Sequence, residues 1–227
     1  MANTNVLKEI FSDKSIRNKL SVFYIFAVAL MIYQGSVFFI IKADEIESKS
    51  DVPIFTISFT ESSVNFNDSR VVNDGDREVI TYAPSEGMYN QNNGMGLLLI
   101  NITYTESSGE FADPCDTISV DLIPNNVPAD WNNQNNILTG TSDDCSPISL
   151  QLMVFPGYNG QTVQQKGQNS NYWKSEYTDQ SYGNGDFELG IEVNVNRPPG
   201  QPIPTVDDND EEVFVTWKAV FFAVTVE

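Results

Sequence analysis

Histidine is absent from all 227 residues, and that absence closes off several chemistries at once. A Ser-His-Asp triad, a Cys-His pair, a blue-copper centre, a His-ligated haem and a histidine pH switch all require the imidazole ring. Cysteine is scarce as well, and two thiols cannot build a four-thiolate zinc site. Basic residues are outnumbered, 12 Lys and Arg against 31 Asp and Glu, for a formal charge of −19. Phosphate binding needs a basic patch, so this balance argues against nucleic acid or anionic lipid as a partner for the bulk of the chain.

Long apolar runs are equally rare, and one stands out. Leu20 to Ile41 gives 22 residues without a charge. As a helix rising 1.5 Å per residue they span roughly 33 Å, close to the hydrocarbon thickness of a bilayer. A cleaved signal peptide has a shorter apolar region and a small-x-small cleavage site. The nearby Ile41-Lys42-Ala43 puts isoleucine where a small residue belongs. A buried soluble helix keeps a polar face, and this run has none. The expectation is an uncleaved signal-anchor through the lipid bilayer. Lys and Arg are retained on the cytoplasmic side, and residues 1–19 carry a net +2 while the part beyond residue 41 carries −21. That places a cytoplasmic segment at 1–19, a transmembrane helix at 20–41, and the rest outside a cell membrane. Gln34, Gly35 and Ser36 form a small polar notch in the span, a candidate helix-helix contact because small residues let another helix approach.

Residues 42–52 are charged and polar and read as a stalk. From residue 53 the period changes to two. The runs 54–59, 69–72, 78–82, 96–105, 117–123, 148–155, 187–195 and 213–226 are β-branched or aromatic and bounded by Gly, Pro, Asn and Asp. No convincing helical period follows residue 50. These runs predict an all-β ectodomain at 53–227, an antiparallel β-sandwich of about eight strands, carried by one N-terminal transmembrane α-helix. Asn73-Asp74-Gly75 supplies the residues a tight hairpin turn requires, so the runs on either side are expected to pair. "GLLLINI" and "AVFFAV" are apolar on both alternate faces, which places those strands centrally or under cover on both sides.

The two cysteines sit in similar contexts, "DPCDTISVDL" and "DDCSPISLQL", each three residues before a strand's first isoleucine. If both strands start at one end of the sandwich, Cys115 and Cys145 meet, and an exported compartment lets them oxidise.

Candidate sites are less specific. No cofactor is expected; the acidic run holding Asp207, Asp208, Asp210 and Glu211 offers hard oxygen ligands that calcium could use, although the spacing is not that of an EF-hand. A solvated acidic loop is the preferred reading of the run, and "NDGD" at 73–76 joins a metal site only if both loops share an end. Residues 157–186 show no strand pattern and mix aromatics with Asn, Gln, Ser and Gly, as binding loops do. Tyr158, Tyr172, Trp173, Tyr177 and Tyr182 are the candidate anchors there; the preferred, ordinary reading is that they cap the core. Asn67 and Asn101 head Asn-x-Ser/Thr sequons available for glycosylation outside a membrane. Carboxylate pairs are too abundant for any to mark a hydrolase. The resulting expectation is a single-pass, non-enzymatic surface protein that binds a protein or glycan partner or scaffolds. Alternatives are a structural subunit of a larger membrane or surface assembly, and, more remotely, a calcium-dependent or carboxylate-based hydrolase.

Overall fold

The computed structural model describes residues 14–42, 52–105, 115–196 and 209–227. Residues 1–13 and most of the expected stalk therefore lie outside the described residues. The chain divides into two compact units, Met1–Pro53 and Ile54–Glu227.

In the first unit a helix, α1 (Lys14–Ser36), continues into one π-helical turn (Val37–Ile41) that ends with Lys42 N–H donating to Val37 O at 3.0 Å. None of the helix is buried. The stretch Lys14–Ile40 is long and apolar enough to cross a membrane, a property that anchors and signal sequences share.

The second unit is built from nine strands among the described residues: β1 (Ile54–Asn73), β2 (Arg77–Tyr82), β3 (Gly94–Tyr104), β4 (Thr117–Ile123), β5 (Thr139–Ser142), β6 (Ile148–Met153), β7 (Val163–Lys166), β8 (Phe187–Asn194) and β9 (Asp210–Val226). They form a five-stranded sheet in the order β6-β3-β9-β1-β7 and a four-stranded sheet in the order β2-β8-β4-β5. Among the described residues every pairing between neighbouring strands is antiparallel. Strand alternation places one set of side chains from each sheet in a shared core: Leu98, Ile100, Val215 and Trp217 from the first, Ile80, Ile118, Leu189 and Ile191 from the second. A stack of rings ties the sheets at one side, Phe66 on Tyr82 at 5.6 Å and Tyr82 on Trp217 at 5.3 Å.

The structure corrects the sequence reading in four places. First, 54–59 and 69–72 are one strand: β1 runs unbroken through the polar stretch "TESSVNFND" and pairs with β9 from Ile57 to Asn73. That stretch hides from a hydrophobicity pattern because β1 lies near the edge of its sheet, where polar residues face water at no cost. Second, the Asn73-Asp74-Gly75 turn exists, with Gly75 at φ +75°, but the strands it joins do not pair. β1 lies against β9, whereas β2 pairs with β8 in the other sheet. The turn carries the chain across the core, so Val72 and Ile80 are both fully buried between the layers. Third, two short helices interrupt the all-β pattern, α2 (Glu86–Gln91) and α3 (Ser170–Glu176). Asn169 caps α3 by accepting the Tyr172 N–H at 2.9 Å. Fourth, β5 and β7 lie in segments, "TGTS" and "VQQK", that carry too little apolar alternation to announce a strand. The central placement of β3 and β9 agrees with their two apolar faces.

Candidate functional site

Sequence places a strand, but the ends of the sandwich decide which loops meet. The chain enters the second unit at Ile54, beside the C-terminal Glu227, whose N–H donates to Thr56 O at 3.0 Å. The opposite end collects the turns after β1, β5 and β8, the start of β9, and the disulfide.

At that far end Asp74 N–H donates to Asn209 O at 2.8 Å and Val195 N–H donates to Asp74 Oδ1 at 3.0 Å. The "NDGD" turn and the start of β9 therefore share an end, as the metal reading required. Asp210 is exposed there and Glu211 is 1% exposed, while Asp207 and Asp208 lie outside the described residues. Among the described residues no three of His, Cys, Asp and Glu gather in a group able to hold a metal ion. The expected disulfide is present: Cys115 and Cys145 are joined with their Cα atoms 5.5 Å apart. Behind it sits a buried hub that sequence reasoning missed. The Tyr104 hydroxyl lies 2.8 Å from Asp116 O and 3.2 Å from both Ser142 O and Ser142 Oγ, and accepts the Cys145 N–H at 3.2 Å. Asp144 nearby accepts from Ser146 and Ser142, hydrogen bonds that hold its carboxyl below the usual aspartate range.

The outer face of the five-stranded sheet carries the aromatic candidates. Phe59 and Phe222 point outward, away from the main core, and form a second cluster with Phe155, Tyr158, Met153 and Leu97. Tyr158 is buried and stacks on Phe222 at 4.7 Å. It fits only because Gly96, at the β3 irregularity between Met95 and Leu97, has no side chain: a Cβ there would collide with the Tyr158 ring. The Tyr158 hydroxyl donates to the Glu61 carboxylate, and burial, reinforced by that carboxylate, pushes the phenol above its ordinary range. Tyr177 packs edge-on against Phe59 at 5.2 Å and Tyr182 against Phe155 at 5.2 Å. Trp173 donates its Nε1–H to Gly167 O at 2.9 Å, and Tyr172, 41% exposed, rests edge-on against it. Of the five anchors, then, Tyr158, Tyr177 and Tyr182 pack on the sheet, and Tyr172 is the one most presented to solvent.

Beside Tyr158 lies a hollow of about 450 Å³, lined by Glu61, Leu97, Asn135, Gln151, Met153, Tyr158, Asn159 and Gly160. Its polar groups come from β1, β6 and two connections far apart in sequence, which is why no motif disclosed it. Both sequon asparagines are exposed on this same outer face. Asn67 and Asn101 each stand opposite Thr216 in register, so they flank β9. In the first unit Gln34 is exposed and Gly35 and Ser36 are half-buried, immediately before the π-helical turn.

If β7 is set aside, the remaining eight strands are shared as β6-β3-β9-β1 and β2-β8-β4-β5. That is the strand order of a jelly roll, a two-sheet Greek-key sandwich. The chain matches no protein-family model and no curated protein. Among solved structures it is similar to a chain of the nora virus structure, with 9% identity over 73% of this chain and 59% of that one, at a TM-score of 0.32. It is also similar to a chain of Mud crab tombus-like virus, with 14% identity over 74% and 92% of the two chains and a TM-score of 0.34. The third, the decameric BFDV capsid protein, gives 8% identity over 73% and 99%, with a TM-score of 0.33. This chain thus spans about 59% of the length of the nora virus chain. The architecture itself rests on the strand order.

Proposed function

We propose that the protein is a non-enzymatic structural subunit of a membrane-associated assembly, held to the bilayer by the helix at 20–41 and building its contacts through the jelly-roll unit. The strand order carries this reading. Jelly rolls recur as the building blocks of shells and as lectin-like binding domains, and this chain shares that architecture. The apolar run supports the anchor, and the basic 1–19 against the acidic remainder supports a cytoplasmic N-terminus. The absence of histidine from the sequence removes imidazole-dependent chemistry from the alternatives.

The test is lateral association of the full-length chain in lipid vesicles at increasing surface density, read by amine crosslinking and negative-stain microscopy. Ordered oligomers support the subunit reading, and a chain that remains monomeric at every density removes it. A second reading, capture of a neutral glycan, is favoured by one observation: the hollow beside Tyr158 combines a carboxylate and three amide side chains with the apolar Leu97 and Met153 in its lining. Chemical-shift changes at Gln151 and Asn159 on adding neutral saccharides would support it, and unchanged spectra would remove it.

A further inference from the structure

β1 has a long open edge, and its phase can be read from one pair of hydrogen bonds. Thr56 N–H donates to Glu227 O at 2.8 Å and Glu227 N–H donates to Thr56 O at 3.0 Å. In an antiparallel ladder such mutually bonded residues alternate with unbonded ones. The β1–β9 register runs one-to-one from Ile57 opposite Val226 to Asn73 opposite Asp210, without a bulge. Even-numbered residues of β1 therefore turn their backbone groups to β9, and odd-numbered residues turn theirs away. β7 takes up that outer side only over Ile54–Ile57. From Ser63 to Val71 the odd residues face no strand among the described residues.

Such an edge is a template for another strand, and proteins usually guard it with proline, lysine, a bulge or a short length. β1 has none of the four over 62–72. Its guard is confined to one residue. The Ser69 N–H donates to Asp68 Oδ1 at 2.9 Å, Arg70 Nη1 donates to Ser69 O at 3.0 Å, and Asp68 pairs with Arg70 at 3.2 Å. This small clip occupies the outward groups of Ser69 and leaves those of Ser63, Asn65 and Asn67 without a strand partner among the described residues.

We propose that the β1 edge is the contact between copies of this chain, formed by antiparallel β1–β1 pairing about a two-fold axis perpendicular to the sheet. This inference rests on the subunit reading and deepens it by naming the surface. A second copy fits because of charge. In a chain of net charge −19, residues 62–72 hold only Asp68 and Arg70 and are neutral, so two copies approach here without the repulsion they meet elsewhere. The symmetry then restricts the register. Residues facing each other must both turn their backbone groups outward, so their numbers sum to an even total. The register that sets Asn65 opposite Asn67 and Ser63 opposite Ser69 brings Phe66 opposite its own copy, in the non-hydrogen-bonded position where side chains come closest. Phe66 is 43% exposed and ends the ring stack on Tyr82, so a second Phe66 extends that stack and covers both rings. Pairing displaces the Asp68–Arg70 clip from Ser69.

The experiment uses full-length chain in lipid vesicles. Phe66→Cys is expected to give a disulfide-linked dimer under mild oxidation, whereas Ser63→Cys, whose copies stand far apart in this register, gives none. Asn65→Pro removes an outward N–H without touching the β9 ladder, and it abolishes the contact at unchanged circular dichroism. Asp68→Asn with Arg70→Gln opens the clip and strengthens association. Equal crosslinking of the two cysteine variants, or wild-type association that Asn65→Pro leaves intact, overturns the edge contact while the subunit reading stands. Absence of any association of the wild type overturns both.

Discussion

Tyr104 shows how one hydroxyl can hold three segments together. Its ring is buried, and its oxygen gathers backbone groups before β4, at the last residue of β5 and at Cys145. Tyr104→Phe keeps the ring and strands those groups in the interior, so it is expected to cost about 1–3 kcal/mol, measured by urea unfolding. A null effect would mean that water replaces the hydroxyl. The buried phenols make a second expectation at this scale. Burial raises the pKa of Tyr82, Tyr89 and Tyr158; Tyr82 adds to the shift at Tyr89, and Glu61 to that at Tyr158. Unfolded tyrosine titrates near 10. Because the folded values lie higher, their stabilising contribution is fully present below about pH 10 and is lost as the pH rises beyond it. Tyrosinate absorbance should therefore rise in two steps, the later one together with loss of near-ultraviolet circular dichroism. A single ordinary titration with the native signal intact would contradict this.

At the scale of elements, α1 and β1 teach opposite lessons. α1 is legible because its requirement is purely compositional: a run of apolar residues needs no partner in the chain to be recognised. Ala29→Asp near its middle is expected to disfavour membrane insertion by about 2.5–3.5 kcal/mol, seen as a fall in the carbonate-resistant membrane fraction; an unchanged fraction would contradict the anchor. β1 is only half legible. Its apolar ends, "IFTISF" and "SRVV", display themselves, but the middle is strand because β9 lies beside it, not because of its own residues. The turn after it is equally instructive. Asn73-Asp74-Gly75 fixes a reversal of direction, yet a reversal serves a hairpin within one sheet or a crossing between two. The choice falls to the partners β9 and β8, which lie more than 100 residues further on.

For the whole molecule the disulfide is the clearest lever. Cys115 and Cys145 are 30 residues apart, and closing a loop of that size is worth about 3.5 kcal/mol in the chain-entropy model. It ties the entry to β4, in the four-stranded sheet, to the turn before β6, in the five-stranded one. Cys115→Ser with Cys145→Ser is expected to lower the stability read from urea unfolding by that amount, with a correspondingly lower midpoint. An unchanged midpoint would show that the shared core alone holds the two sheets. The candidate site was less legible than the fold. The aromatic content of 157–186 pointed to the right face, but whether Tyr158 or Tyr172 meets solvent depends on Phe222 and Gly96, which lie elsewhere in the chain. Glu61, Asn135 and Gln151 carried no signal at all, because no spacing relates them before the chain folds.

Composition and local pattern thus determined what needs no distant partner: the closure of imidazole chemistry, the apolar run and its charged flanks, the period-two strands, and two cysteines placed alike before their strands. Tertiary structure alone decided the order of strands in each sheet, the crossing at Gly75, the hollow beside Tyr158 and the open edge of β1. Each of these is a relation between segments remote in sequence, fixed when the apolar faces of two sheets find a single way to cover one another.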